Sequence, residues 1–143
     1  GLTFNGDTAA ANALDDYEEI DFAPTISDGY TTPSHTVNVG RATKIGRLVV
    51  GHIQLSFSSA SRNSGQVTIA GLPFTSTNTS GYASMGGVIT YQVNFSSNFN
   101  QVFIGNNGTI IQFHELDGSS LTGSETSGAN NVQIRLAFSY VTD

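Results

Sequence analysis

Five carboxylates fall between positions 15 and 21: Asp15, Asp16, Glu18, Glu19 and Asp21. Carboxylates at this density suit two chemistries: oxygen ligation of calcium and, where two face each other across a cleft, hydrolysis of a glycosidic bond. The run lacks the Asp-x-Asp-x-Asn-Gly rhythm of a helix-loop-helix calcium site, and adjacency in sequence sets no distance across a cleft. It reads as a solvated collar rather than a metal or catalytic site. The three histidines, His35, His52 and His114, show no His-x-x-x-His spacing, so a zinc site would need the fold to gather them. Outer strand faces or subunit contacts suit them better, and there an imidazole can also hydrogen-bond a sugar.

Nucleophilic catalysis finds little material. There is no cysteine, no Gly-x-Ser-x-Gly elbow and no glycine-rich phosphate loop. The Asn-x-Ser/Thr matches at Asn78, Asn94 and Asn107 are as many as a chain with twelve Asn and abundant Ser and Thr yields by chance, so they say nothing about glycosylation. Carbohydrate binding is better served. It needs an aromatic surface to stack on and polar side chains to partner hydroxyls, because a buried hydroxyl without a partner is costly. With no Trp in the chain, stacking falls to Tyr or Phe. Tyr30, in the loop from Asp28 to Ser34, and Tyr82, after the loop from Ser76 to Gly81, are the best placed. With His35 and His114 they form the candidate ligand-binding set; no catalytic residue, metal ligand or cofactor is assigned.

Short strands must position these groups. Sixteen Gly, abundant Ser, Thr and Asn, nine Phe and only 11% charged residues favour strands joined by tight turns. At 143 residues the chain suits one domain. The first 28 residues hold seven acids and no Lys or Arg, whereas the remainder has four acids and five bases. A nearly neutral body argues against binding nucleic acid, where Lys and Arg supply most of the affinity. No apolar run approaches the ~20 residues of a membrane span, and no signal peptide is evident, so membrane insertion is not expected. The first residue is Gly rather than Met, as expected for a piece of a longer polypeptide.

Ala9 to Leu14 favour a helix of about two turns at most, capped by Asp7 or Thr8 and ended by Asp15-Asp16. Pro24 suits an edge strand or its start, and Asp28-Gly29 is a turn. Alternation then places Val49, Ile53, Leu55 and Phe57 on one face with Gly51, where a bulge or a close approach is expected. Val67 and Ile69 form a short strand ended by Gly71-Leu72-Pro73. Ile89, Tyr91, Val93 and Phe95 share a face, and Asn106-Asn107-Gly108 joins Val102–Ile104 to Ile111–Phe113 in a hairpin. The fourteen residues from Leu116 to Ala129 read as a Gly/Ser/Thr-rich loop, long for a compact domain and so either functional or mobile. The final strand, with Val132, Ile134, Leu136, Phe138 and Tyr140 on one face, should lie centrally in a sheet. About eight strands at short spacing indicate a sandwich or jelly roll.

Three stretches, in order, resemble the C-terminal domain of bacteriophage tail fibres and tailspikes. Gly6 to Ile26, containing Leu14-Asp15-Asp16-Tyr17-Glu18-Glu19, is similar to that family's LDDYEE lead-in, although Ile20-Asp21-Phe22-Ala23 stands where the family has Gly-Thr-Trp-Thr. Gly40-Arg41-Ala42-Thr43-Lys44-Ile45-Gly46-Arg47-Leu48-Val49-Val50 resembles its GRYTKIGRLV, and Val67 to Ser76 its VTISGLPFTS. Beyond Ser76 no segment is diagnostic. The resemblance implies a homotrimeric, non-catalytic tip domain at the distal end of a fibre on the virion, binding a host cell-surface polysaccharide or other receptor. The alternative it leaves open is a trimerisation or capping domain, with recognition or depolymerase activity elsewhere in the parent chain. The expected architecture is thus all-β, an antiparallel sandwich of jelly-roll type with a short N-terminal helical turn. Residues 1–20 would form the acidic lead-in and 21–143 the single tip domain.

Overall fold

The computed structural model describes residues 17–58, 61–79, 86–93, 99–126 and 131–143. The helical turn expected at Ala9–Leu14 lies outside them. Alternation of apolar and polar residues, the dominant local signal, produces eleven antiparallel strands among the described residues. They are β1 (Tyr17–Phe22), β2 (Thr25–Ser27), β3 (Tyr30–Thr31), β4 (Ser34–Ile45), β5 (Leu48–Ser58), β6 (Ser61–Arg62), β7 (Thr68–Ala70), β8 (Gly87–Val93), β9 (Phe99–Phe103), β10 (Ile110–Glu115) and β11 (Asn131–Val141), and a 3-10 turn spans Gly123–Glu125. A five-stranded sheet, β1-β4-β5-β11-β8, packs on a four-stranded sheet, β2-β7-β10-β9, while β3 and β6 form a separate two-stranded ribbon. The protein is an all-β antiparallel sandwich. β5 pairs with β11 in one sheet and β7 with β10 in the other, so later strands return beside earlier ones in nested order.

The last strand lies where its pattern places it. β11 runs between β5 and β8 and buries Val132, Ile134, Leu136, Phe138 and Tyr140. Val49, Ile53, Leu55 and Phe57 of β5 share that inner face and meet Ile69, Ile111 and Phe113 from the second sheet. The Tyr140 hydroxyl donates to the Phe74 carbonyl at 2.8 Å, so the one polar atom of this ring is satisfied. Burial pushes the Tyr140 phenol up to about 12.

Gly51 marks a close approach rather than a bulge. It sits opposite Phe138 in the ladder, and a Cβ there would fall 2.5 Å from the Phe138 ring. Gly40 is likewise covered by the ring of its partner Phe22. The two rings meet edge-on at 6.3 Å, so adjacent cross-strand pairs let bulky aromatics lie flat over bare backbone.

β4 and β5 are joined by a two-residue turn with Gly46 at φ +57°. The sequence signal for it is Gly46-Arg47 between the apolar Ile45 and Leu48, a spacing that the strand pattern alone did not bring out. The hairpin expected around Asn106-Asn107-Gly108 forms between β9 and β10, with Asn107 at φ +50°. The described part of the loop after β10, residues 116–126, is anchored to the core. Leu121 is fully buried and its carbonyl accepts from the Val67 N–H at 2.8 Å, because its apolar side chain fills the space beside β7. The sheet also begins earlier than the expected boundary at Asp21, since β1 takes in Tyr17–Ile20. Glu18 of β1 lies opposite Lys44 and Asp21 opposite Arg41, so the acids meet the bases of β4 in register.

Phe138→Ala should cost about 3–5 kcal/mol by opening a cavity between the sheets. Gly51→Val should cost about 1–3 kcal/mol by driving a branched side chain into the Phe138 ring. Urea denaturation monitored by circular dichroism checks both. In the F138A background the penalty for G51V should shrink only in part, because the ring is gone while the Arg41 carbonyl, 2.6 Å from the same Cβ position, remains.

Candidate functional site

Two of the sequence-derived ligand residues prove to hold the fold together. Tyr30, in β3, is buried rather than open to a sugar: its ring packs edge-on to Phe57 at 4.9 Å and its hydroxyl donates to Thr126 Oγ1 at 3.1 Å. The turn at Asp28 (φ +48°) and Gly29 (φ +57°) reverses the chain and delivers Tyr30 into the core, which a loop reading does not reveal. Burial raises the Tyr30 phenol above its ordinary value. Tyr82 lies outside the described residues.

His35 sits on the inner side of the first sheet, not on its outer face. The β4–β5 register shifts between His35 and Val37, leaving Thr36 as an extra residue whose hydroxyl reaches the Ser56 carbonyl at 3.3 Å. A bulge of this kind exchanges the faces of the residues before it. His35 is turned inward beside Phe57, and its Nε2 accepts the Ile26 N–H of β2 at 3.0 Å, a bond between the two sheets. An accepting Nε2 is unprotonated, so the neutral ring carries its hydrogen on Nδ1.

His114 in β10 serves a turn. Its Nδ1 lies 3.1 Å from the Gly118 carbonyl, its Nε2 lies 3.5 Å from the Gln66 amide, and Phe103 meets it edge-on at 5.8 Å. The donor at Nδ1 closes the Leu116–Ser119 turn, in which Gly118 adopts φ +87°. Tyr30 and His35 thus pack on the same Phe57 ring, whereas His114 makes its contacts with Gly118, Gln66 and Phe103. Among the described residues, no group of three or more His, Asp or Glu side chains could hold a metal ion.

The outer face of the five-stranded sheet gathers polar and aromatic groups that sequence reasoning did not connect. Register aligns Asp21, Arg41, His52, Ala137 and Val88 in one row across all five strands. The neighbouring row holds Val39, Gln54, Arg135 and Tyr91. Arg41 grips Asp21 with two hydrogen bonds, Nε to Oδ1 at 2.7 Å and Nη2 to Oδ2 at 3.2 Å. That guanidinium holds the Asp21 carboxyl below its ordinary range, so the pair stays charged and its spare lone pairs and N–H groups face solvent. β1 leaves the sheet after Phe22, and the notch beside β4 is a depression of about 510 Å³ lined by Asp21, Phe22, Asn38, Val39, Arg41 and His52.

Tyr91 reaches this face through a second bulge. Leu136 pairs with Ile89 but Arg135 pairs with Tyr91, so Thr90 is the extra residue, and its hydroxyl donates to the Arg135 carbonyl at 3.2 Å. Strict alternation would send Tyr91 to the core with Ile89. The bulge instead turns it outward, 44% exposed, with the Arg135 guanidinium 5.0 Å from the centre of its ring. The expectation that Ile89 and Tyr91 share a face is corrected by this one inserted residue. At the opposite end of the same face, Tyr17, Ile45 and Leu48 form a cross-strand apolar row, and Val50 lies beside it, all exposed.

Burial lowers the His35 pKa from its ordinary value of 6.5. The neutral ring is favoured in the folded state, so this contribution to stability is complete above pH 6.5 and is lost as pH falls through the depressed value. His35→Gln keeps an acceptor at this place without a titrating group, so the fall in the urea midpoint between neutral and mildly acidic pH should be smaller in H35Q than in the parent chain. Comparison of the chain with known proteins finds no matching family model, no matching curated protein and no matching solved structure, so the residues themselves carry the functional reading.

Proposed function

We propose that this chain is a non-catalytic receptor-binding domain of a bacteriophage tail fibre or tailspike. It acts as a homotrimer at the distal end of the fibre and recognises a host cell-surface polysaccharide. The observation that carries the binding reading is the outer face of the five-stranded sheet, where Asp21, Arg41, His52, Gln54, Arg135 and Tyr91 lie on one rigid surface without a covering layer among the described residues. Such a surface offers what a sugar needs: a partly exposed ring, planar guanidinium and amide groups, and a carboxylate already held in place. The phage setting rests on the three ordered stretches that resemble tail fibre tips.

The exposed apolar end of that face, Tyr17, Ile45, Leu48 and Val50, supports subunit association. Three sites fixed on one particle raise the apparent affinity for a repetitive glycan without any new contact. The same apolar row also favours the second reading, a capping domain whose role is assembly alone. Native mass spectrometry and binding to immobilised bacterial capsular and O-antigen polysaccharides separate the two. The expected outcome is a trimer that binds at least one such polysaccharide. Leu48→Glu should dissociate it and weaken apparent binding by about a hundredfold or more. A trimer that neither binds glycan nor competes with phage for cells points to capping, and a monomeric parent chain overturns the assembly.

A further inference from the structure

We propose that the glycan recognised by the outer sheet face is acidic, and that Arg135, stacked on Tyr91, is the group that pairs with its carboxylate. This deepens the receptor-binding reading and rests on it. Of the two guanidinium groups on this half of the face, Arg41 is already neutralised by Asp21. Arg135 is exposed, lies over the Tyr91 ring and has no carboxylate partner among the described residues. Asp21 is the one acid in the two rows, so the surface around Arg135 carries an uncompensated positive charge. The remaining residues of these rows, Val39, Gln54, His52, Ala137 and Val88, offer apolar patches and hydrogen-bonding groups, as the two sides of a pyranose ring require.

The geometry around Arg135 is built rather than incidental. Thr90 interrupts the β8–β11 ladder, and its effect is to bring Tyr91 out against Arg135. With its central carbon 5.0 Å from the ring centre, the guanidinium is held over Tyr91 by cation–π attraction, and its planar fork of N–H donors matches a carboxylate in two parallel bonds. From the notch at Asp21 to Tyr91 the surface crosses five strands, about 19 Å at the usual interstrand spacing, long enough for an oligosaccharide laid across the strands. A neutral glycan would leave Arg135 without a counterpart. A uronic or sialic acid unit would supply one.

Isothermal titration of the 143-residue chain with oligomers of galacturonic, glucuronic and sialic acid, each beside its carboxyl-reduced neutral form, tests this. At least one acidic series should bind about tenfold or more tightly than its neutral counterpart, and the preference should weaken between about 0.02 M and about 0.5 M salt. Arg135→Gln should remove the preference while leaving the residual affinity for the neutral form. Tyr91→Ala should reduce the affinity for both forms. Equal binding of acidic and neutral forms, or a preference that survives in R135Q, overturns the proposal while receptor binding stands. Binding to whole cells that persists after periodate destroys their glycans also overturns it, and points to a protein receptor. Failure to bind any glycan or any cell overturns the receptor-binding reading itself. Should R135Q not fold, the acidic and neutral comparison on the parent chain decides alone.

Discussion

The ladder between β5 and β11 is the constraint on which the rest of the molecule depends. Each strand is eleven residues long and they pair over their whole length, from Asn131 opposite Ser58 to Val141 opposite Leu48. One face of this ribbon supplies nine of the buried apolar side chains, five from β11 and four from β5. Slipping the register by one residue would send all of them to solvent, so the hydrophobic effect specifies one pairing strongly. β4 and β8 then add to the two sides of the ribbon. The second sheet closes over the greasy side with Ile69, Ile111 and Phe113.

Local exceptions to alternation adapt this frame. Gly40 and Gly51 remove side chains where Phe22 and Phe138 must lie across the ladder, and the two rings then touch edge-on. Two threonines do the opposite job, adding a residue rather than removing a side chain. Thr36 and Thr90 each sit at a register shift, and each bonds a partner-strand carbonyl through its hydroxyl. The first turns His35 inward to tie β4 to β2, and the second turns Tyr91 outward beside Arg135. One inserted residue thus completes the join between sheets, and another shapes the exposed face.

The outer face is divided along the strands. Towards the Gly46-Arg47 turn it is apolar, with Tyr17, Ile45, Leu48 and Val50; towards the other end it is mixed, with Arg41, His52, Gln54, Arg135 and Tyr91 set among the exposed Val39 and Val88. On the proposed reading, this arrangement would let one sheet serve assembly and recognition through different parts of its surface. Under that proposal, binding through a sheet face rather than through loops would keep the contacting groups on a rigid scaffold, so little conformational freedom would be lost on contact.

The antiparallel sandwich, the central position of the last strand, the core faces of β5 and β11 and the close approach at Gly51 were legible in the order of residues, because each follows from a period-two pattern or from a missing side chain. The candidate site was not. Arg135 and Tyr91 are far apart in the chain, as are Asp21 and His52, and only strand order and register make them neighbours. Tyr30 and His35 looked available because turns and polar neighbours surround them in sequence, yet the tight turn at Asp28-Gly29 and the bulge at Thr36 carry both inward. A bulge leaves the composition of a strand unchanged while reversing which side each residue faces. The sequence therefore determined the class of fold and most of its core by itself, and the register and the bulges, which are set by pairing with distant strands, decided which side chains meet solvent.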